Sequence, residues 1–375
     1  MGAGRAGQVV SACALLAVAA GCGAPVTLQG RTAGAAPRTV LQANDAGDGH
    51  LKWQIDLGPS DDATEPVLVG DVVVVGRPGS GATAYDVDNG RIRWAVPKAG
   101  LPAVVTGGLA VFDFADRIEA RRADTGAVAW TRKTAGDLIQ AHAGGPLALV
   151  VDPAPERSAA KAPHASAKPV RSRVALLSAA TGRNTWLAVL PGRVDPTNSA
   201  VSDRHILATY ATDYSGRNTV AALRMANGVA EWSYPASPVN AVSAAGEIPA
   251  VTVGLDRARA EALDPSTGHP LWEAPEDDML DSRLAPFLGQ DGMRAFRRDP
   301  LTGARLPGEV PAAYGVGAHG DLLVGAAGQT LTAVRDGAEA WTADVAPGAE
   351  PVTYLDVDDR VVVSVTAVGQ KHPRD

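Results

Sequence analysis

Cysteine is almost absent from this chain of 375 residues, because Cys13 and Cys22 are its only two and both lie near the N-terminus. The rest of the chain therefore has no disulfide and no thiol chemistry. The apolar run from Val9 to Ala20 is too short for an ordinary membrane-spanning helix, which needs roughly 20 residues. No amphipathic helix of three or more turns is evident after it. Short runs rich in valine, such as Val72–Val75, predict an all-β protein.

An excess of positive charge is also missing. The formal net charge is −7 and charges of both signs are mixed along the chain, so no basic face for nucleic acid is predicted. No Gly-x-Ser-x-Gly nucleophile elbow occurs. The histidines stand singly, without zinc-binding spacing, at His50, His142, His164, His205, His269, His319 and His372. The sequence thus indicates no catalytic residue, no metal ligand and no cofactor.

The first 37 residues read as export and anchoring segments. One arginine, an apolar stretch and the small residues Ala19-Ala20-Gly21 before Cys22 predict a signal peptide over residues 1–21. The motif resembles a bacterial lipobox, which implies that Cys22 is lipidated and anchors the protein to the outer face of the cytoplasmic membrane. Residues 22–37 are predicted to be a flexible tether. The alternative is an ordinary cleaved signal in which Cys22 is incidental.

A repeat governs the remaining sequence. Each of the seven tryptophans is preceded, four residues earlier, by a glycine. The pairs are Gly49 and Trp53, Gly90 and Trp94, Gly126 and Trp130, Gly182 and Trp186, Gly228 and Trp232, Gly268 and Trp272, and Gly337 and Trp341. The residue before each glycine is Asp, Asn or Thr, which suits a tight hairpin with glycine at positive φ. We expect each tryptophan to lie flat against an adjacent sheet and to dock successive repeats structurally.

The length of the repeat predicts the fold. An eighth copy at Arg298–Gly303 has Pro307 in place of tryptophan, and the mean spacing of the eight glycines is about 41 residues, typical of propeller blades. Residues 38–370 are therefore predicted to form an eight-bladed β-propeller of four-stranded antiparallel blades. The chain enters and leaves in mid-repeat, so one closing blade is shared by both termini. The segment around residues 279–306 is short and interrupted by proline, which leaves seven blades as an alternative.

The motif itself resembles a known family. Ala262–Trp272 matches Ala-x-Asp-x-x-Thr-Gly-x-x-x-Trp, the repeat of pyrroloquinoline-quinone-type propellers, and Ala84–Trp94 differs only at Asn89. In length and in its lipobox the chain is similar to BamB-type propeller lipoproteins. The resemblance implies the propeller fold strongly and a function only weakly, because one fold hosts many activities.

Three functions are compatible with the sequence. The first is a non-catalytic, monomeric scaffold that binds an envelope protein or a cell-wall polymer. The second is a quinoprotein-dehydrogenase-like enzyme, although the chain lacks that family's adjacent cysteines. Its metal candidates would be Glu276, Asp277, Asp278 and Asp281, or Asp356, Asp358 and Asp359, which are more typical of solvated loops. The third is a small-ligand sensor that uses the central channel.

An insertion of about 20 residues lengthens the third blade. Residues 152–171 are rich in Ala, Pro and Ser, and their charges with Arg173 are mostly positive: Arg157, Lys161, Lys168 and Arg171 against Asp152 and Glu156. A solvated loop is one interpretation. The other is a contact with anionic lipid or wall polymer beside the membrane anchor.

Overall fold

The valine-rich segments form strands, as their β-branched side chains favour. The computed structural model describes residues 38–59, 66–77, 81–97, 102–114, 116–133, 137–139, 147–151, 171–212, 217–236, 238–254, 259–275, 287–313, 315–345 and 352–368. Within these ranges the chain forms strands β1 to β31 and no helix.

The strands group into eight antiparallel sheets, the blades. Blade 1 contains β3 (Val67–Val69), β4 (Val72–Arg77), β5 (Gly81–Asp86) and β6 (Ile92–Val96). Blade 2 contains β7 (Pro102–Thr106), β8 (Leu109–Phe114), β9 (Arg117–Arg122) and β10 (Val128–Lys133). Blade 3 contains β11 (Asp137–Ile139), β12 (Leu147–Val151), β13 (Ser172–Leu177) and β14 (Asn184–Leu190). Blade 4 contains β15 (Arg193–Val201), β16 (His205–Ala211), β17 (Asn218–Arg224) and β18 (Ala230–Ala236).

The second half of the chain continues the series. Blade 5 contains β19 (Val239–Ala245), β20 (Ile248–Val253), β21 (Arg259–Leu263) and β22 (Pro270–Pro275). Blade 6 contains β23 (Leu288–Asp291), β24 (Arg294–Arg298) and β25 (Arg305–Pro311), and the preceding residues 276–286 lie outside the described chain. Blade 7 contains β26 (Gly315–His319), β27 (Leu322–Ala327), β28 (Thr330–Arg335) and β29 (Ala338–Asp344).

Blade 8 closes the ring with strands from both ends of the chain. Its order is β2 (Leu51–Pro59), β1 (Arg38–Asp45), β31 (Val361–Val368) and β30 (Val352–Val357). The register between β1 and β31 is continuous from Arg38 opposite Val368 to Asp45 opposite Val361. The predicted eight-bladed propeller with a shared closing blade is thus confirmed, and the seven-bladed alternative is wrong. Pairing the two termini removes the open edges that an incomplete ring would expose.

The hydrophobic core is divided among the junctions between blades. Eight clusters of buried apolar residues occur in the described chain, and each joins two neighbouring blades. The cluster between blades 8 and 1, for example, unites Leu41 and Val363 with Val73. Every blade therefore depends on both neighbours for burial, as expected for a radial repeat. The first strands of neighbouring blades are the inner ones, with β15 contacting both β11 and β19.

Strand direction defines two faces of the ring. The turns from first to second strand and from third to fourth strand lie at one end of the blades, which we name the turn face. Connections from second to third strand lie at the opposite end, the terminus face. Because β31 and β1 are the second and third strands of blade 8, β1 begins on the terminus face, and so does β13 of blade 3. No helix suited to crossing a membrane occurs in the described residues.

Candidate binding surface on the outer rim

Seven of the eight repeat turns share one backbone geometry, and the eighth, in blade 7, is a tighter hairpin with Asp336 and Gly337 both at positive φ. At the turn of blade 1, Gly90 has φ of +69°, and its N–H donates to the carbonyl of Asp86 at 2.9 Å. The Asn89 side chain accepts the N–H of Arg91 at 3.0 Å. Glycine adopts this left-handed conformation without steric cost, and the short polar residue before it satisfies a turn donor.

The missing Cβ of each glycine leaves room for a tryptophan from the preceding blade. A Cβ built on Gly182 would lie 2.5 Å from Cε3 of Trp130, so the indole packs directly on the glycine backbone. The same contact recurs around the ring, joining Trp53 to Gly90, Trp94 to Gly126, Trp130 to Gly182, Trp186 to Gly228, Trp232 to Gly268, Trp272 to Gly303 and Trp341 to Gly49. We name this contact the clasp. The structure thus brings every repeat glycine except Gly337 together with the tryptophan of the blade before it.

A hydrogen bond completes every clasp. The indole N–H of Trp94 donates to the carbonyl of Ala123 at 2.7 Å, three residues before the glycine that it covers. Equivalent bonds join Trp53 to Val87, Trp130 to Ala179, Trp186 to Met225, Trp232 to Pro265, Trp272 to Pro300 and Trp341 to Ala46. These acceptors are backbone oxygens on residues as different as alanine, methionine and proline. The sequence therefore carries no side-chain signal from which they could be found.

Blade 6 provides the exception. Pro307 stands at its tryptophan position, and a Cβ built on Gly337 of blade 7 would lie 2.6 Å from the proline Cβ. Proline occupies less volume than an indole and has no N–H to donate. The buried cluster at this junction comprises Leu288, Ala295, Val310, Leu323 and Val334.

The outer strands also expose aliphatic side chains at a repeated position. Two residues before the tryptophan stand Leu51, Ile92 and Val128, on the successive blades 8, 1 and 2. Their exposed fractions are 54%, 65% and 49%. Single exposed aliphatics need no explanation, but the same position on three neighbouring blades marks a surface. We name these three residues the rim aliphatics.

A cleft between blades 8 and 1 includes one of the rim aliphatics, Ile92, in its lining. Its volume is about 420 Å³, and its apolar lining comes from Ile55, Leu57, Tyr85 and Ile92. Gly81 and Gly90 also line it on the side of blade 1, and Asp56 and Thr83 add polar atoms.

Local ion pairs neutralise the charges beside this cleft. Lys52 contacts Asp88 at 3.1 Å, and the Arg93 guanidinium contacts the Asp86 carboxylate at 2.5 Å. The charge-assisted bond from Arg93 opposes the effect of desolvation, and the pKa of Asp86 is lowered. An apolar centre bordered by paired charges resembles the anatomy of a protein–protein interface.

Polar bonds hold the closing blade to blade 1 near its inner strand. The Asp356 carboxylate accepts the N–H of Leu68 at 2.8 Å, and Arg360 contacts Asp71 at 2.8 Å. Burial raises the pKa of Asp356 to about 6, against the favourable effect of the N–H donor from Leu68. At the junction between blades 2 and 3, burial and the negative charge of Asp137 likewise raise the pKa of the Asp113 carboxyl to about 6.

A partly buried polar cluster lies in blade 4. His205 is fully buried, and its Nε2 lies 2.5 Å from Oε2 of Glu231, whose other oxygen contacts Arg224. These hydrogen bonds, with that from His205 the largest influence, lower the pKa of Glu231 to about 2. The histidine ring packs edge-on against Trp232. Because Trp232 is a clasp residue, the cluster supports the junction between blades 4 and 5.

The metal candidates from the sequence divide into two groups. Asp358 accepts the N–H groups of Arg360 and Val361, as a turn residue does, and Asp356 binds backbone as described above. No group of three or more His, Cys, Asp or Glu side chains suited to a metal ion occurs in the described residues. Glu276, Asp277, Asp278 and Asp281 lie outside them, as do Cys22 and the basic residues Arg157, Lys161 and Lys168.

The family follows from comparison with known proteins. A family model described as "Outer membrane protein assembly factor BamB" matches residues 14–100 and 117–285, more than half of the chain. The chain belongs to this family. The matched ranges contain strands β1 to β6 and β9 to β22, so the BamB family resemblance inferred from the repeat is confirmed.

Several solved structures are similar to this chain at low sequence identity. BamB from Moraxella catarrhalis is 14% identical, with a TM-score of 0.47 over 81% of this chain and 99% of its own. The computationally designed Ika8 protein is 14% identical, with a TM-score of 0.53 over 82% of this chain and 96% of its own. A quinohemoprotein alcohol dehydrogenase from Pseudomonas putida HK5 is 13% identical, with a TM-score of 0.47 over 83% and 75%. No curated protein matches the sequence significantly.

Proposed function

We propose that this protein is a non-catalytic scaffold that binds an envelope protein through the rim aliphatics of blades 8, 1 and 2. The observation that carries the proposal is the exposure of Leu51, Ile92 and Val128 at one repeated position. Their burial against a partner would remove apolar surface from water at about 25 cal/mol per Å². The family description names an assembly factor of the outer membrane, which accords with a role in binding other envelope proteins.

The outer strands add a second means of recognition. Strands β2, β6 and β10 each pair with a single neighbour in their sheets, so their outer edges retain backbone donors and acceptors. An extended segment of a partner could add to such an edge while its aliphatic side chains enter the cleft beside Ile92. We therefore expect the partner to be a protein with an apolar surface, in preference to a cell-wall polymer.

Location forms part of the same proposal. We infer that the leader exports the chain, that Cys22 carries lipid, and that the propeller is held at the outer face of the cytoplasmic membrane. Mass spectrometry of the mature N-terminal peptide tests this directly. A diacylated Cys22 supports the anchor, and an unmodified residue after cleavage elsewhere contradicts it.

A capture experiment tests the scaffold role. The tethered protein is purified from its own envelope after mild crosslinking, and co-purifying proteins are quantified. We expect Leu51→Ser/Ile92→Ser/Val128→Ser to lose the main partner by at least tenfold. The matched control is Met293→Ser/Leu301→Ser, which removes exposed apolar side chains from blade 6. Equal capture by the rim variant and the native chain would contradict the proposal.

The non-catalytic part has its own test. Pyrroloquinoline quinone and calcium are added to the purified protein, and the melting temperature is measured. A ligand that binds the native state at 100 times its Kd stabilises it by about 2.7 kcal/mol, which would raise the melting temperature measurably. We expect no shift, whereas a concentration-dependent rise would favour the quinoprotein alternative.

A further inference from the structure

Arginines begin the third strand of several blades on the terminus face, and most are held by carboxylates. Arg38 of blade 8 contacts Asp56 at 2.9 Å, and Arg117 of blade 2 contacts Asp116 at 3.1 Å. The same holds for blades 5 and 6, where Arg259 contacts Glu261 at 2.5 Å and Arg294 contacts Glu309 at 2.6 Å. The positive charge of these positions is therefore neutralised locally.

Blade 3 departs from this pattern. Arg171 and Arg173 flank the first residue of β13, both are exposed, and neither forms an ion pair within the described chain. Arg193, which begins β15, is likewise exposed and unpaired there. The carboxylate closest to it in sequence, Asp195, accepts the N–H of Thr197 at 3.0 Å.

Ser172 brings the three guanidinium-bearing residues together. Its N–H donates to the carbonyl of Gly192 at 3.0 Å, and its hydroxyl accepts the N–H of Val194 at 3.0 Å. Arg193 is thus fixed next to the Arg171–Arg173 segment. The result is a cluster of three unpaired positive charges in a protein whose net charge is −7.

Exposed aliphatic residues border the cluster. Arg173 lies opposite Val189 in the register of β13 and β14, and Ala175 lies opposite Leu187. The side chains of Val189 and Leu187 are 57% and 45% exposed. Basic side chains beside exposed aliphatics are typical of surfaces that insert shallowly into a membrane interface. A soluble polyanion would engage the charges but would leave the aliphatics without a role.

We propose that Arg171, Arg173 and Arg193, with Leu187 and Val189, form a docking surface for an anionic lipid bilayer. The proposal rests on the proposed lipid anchor, because the topology starts β1 on the same terminus face. Only 15 residues separate Cys22 from Arg38, and a chain of that length spans at most about 50 Å, which limits how far the propeller can lie from the bilayer. The lipid on Cys22 and the docking surface together would provide the two signals that stable membrane binding requires.

Vesicle flotation tests the surface without any protein partner. The mature chain, which begins at residue 22 and carries Cys22→Ala so that neither the leader nor a lipid contributes, is mixed with vesicles of phosphatidylcholine with or without 30% phosphatidylglycerol. We expect binding only to the anionic vesicles, with a marked decrease at high salt. Arg171→Ser/Arg173→Ser/Arg193→Ser should weaken it at least tenfold. The control Arg91→Ser/Arg122→Ser/Arg183→Ser removes equal charge from exposed arginines on the turn face and should bind as the parent does.

A second variant separates a bilayer from a soluble polyanion. Leu187→Ser/Val189→Ser should reduce vesicle binding severalfold while leaving binding to soluble poly(glycerol phosphate) unchanged. The proposal is overturned if the parent does not bind anionic vesicles, if both triple variants lose binding equally, or if only the soluble polymer binds. Vesicle flotation contains no protein partner, so its outcome does not depend on the scaffold proposal. If the scaffold proposal is wrong, only the capture experiment will show it.

Discussion

Gly126 and Trp94 are in such close contact that a Cβ on the glycine would lie 2.5 Å from Cγ of the indole. The glycine has φ of +68°, so its lack of a side chain serves both the turn and the clasp. We expect Gly126→Ala to destabilise the protein by about 3 kcal/mol, through backbone strain and displacement of the indole. Urea unfolding measures the change.

Gly108 is the matched control for this substitution. Its φ is +74°, but no atom lies within 4 Å of the position that a Cβ would take. Gly108→Ala therefore incurs only the backbone strain, about 1 kcal/mol. If the two variants lost the same free energy of unfolding, contact with the indole would add nothing to the backbone strain of alanine at positive φ.

The indole hydrogen bond can be separated from the indole packing. Trp94→Phe keeps an aromatic ring at the clasp but leaves the carbonyl of Ala123 without its donor. An unsatisfied buried acceptor costs about 1–3 kcal/mol. Trp186 is more exposed than Trp94, so water can replace its donor, and Trp186→Phe should cost less. A larger loss for Trp186→Phe than for Trp94→Phe would contradict this account.

Blade 6 is expected to be the least stable part of the described ring. Pro307 replaces the tryptophan, and the buried cluster that joins blades 6 and 7 is small. Strands with few buried contacts open first, because local stability follows local burial. Hydrogen exchange followed by mass spectrometry should show amides of β24 and β25 exchanging faster than those of β1 and β31. Greater protection in blade 6 would exclude this ranking.

The closing junction should respond to pH through Asp356. Burial raises the pKa of its carboxyl from 3.8 to about 6, so the folded chain binds this proton more tightly than the unfolded chain. The stabilising contribution is therefore fully present below about pH 4 and is lost as the pH rises through about 6. The difference in unfolding free energy between the native chain and Asp356→Asn should change by about 3 kcal/mol across that range. A pH-independent difference would show that Asp356 is not desolvated.

The sequence predicted the ring because its determinants are local and repeated. A glycine at positive φ, a polar residue before it and a tryptophan four residues later give the blade count and the shared closing blade without any coordinates. The position of Pro307 was evident for the same reason. Blade 6 was the uncertain element, since its turn motif is preserved while its apolar pattern is weak.

The candidate surfaces were harder to predict. The acceptor of each indole is a backbone carbonyl on a residue of no fixed type, such as Ala123 or Pro265. The exposure of Ile92 depends on how closely neighbouring blades pack at their outer strands. The alternation of apolar and polar residues along one strand does not reveal this. Arg193 lies beside Arg171 because Ser172 forms hydrogen bonds with Gly192 and Val194. The two arginines are far apart in sequence, and no motif links them.

Site-specific photo-crosslinking in the native envelope tests the scaffold role most directly. A photoreactive amino acid is placed at position 51, 92 or 128, and at position 301 of blade 6 as a control. We predict one discrete protein adduct, shared by the three rim positions and absent from position 301. No adduct at the rim, or the same adduct at all four positions, would contradict a partner bound across blades 8, 1 and 2.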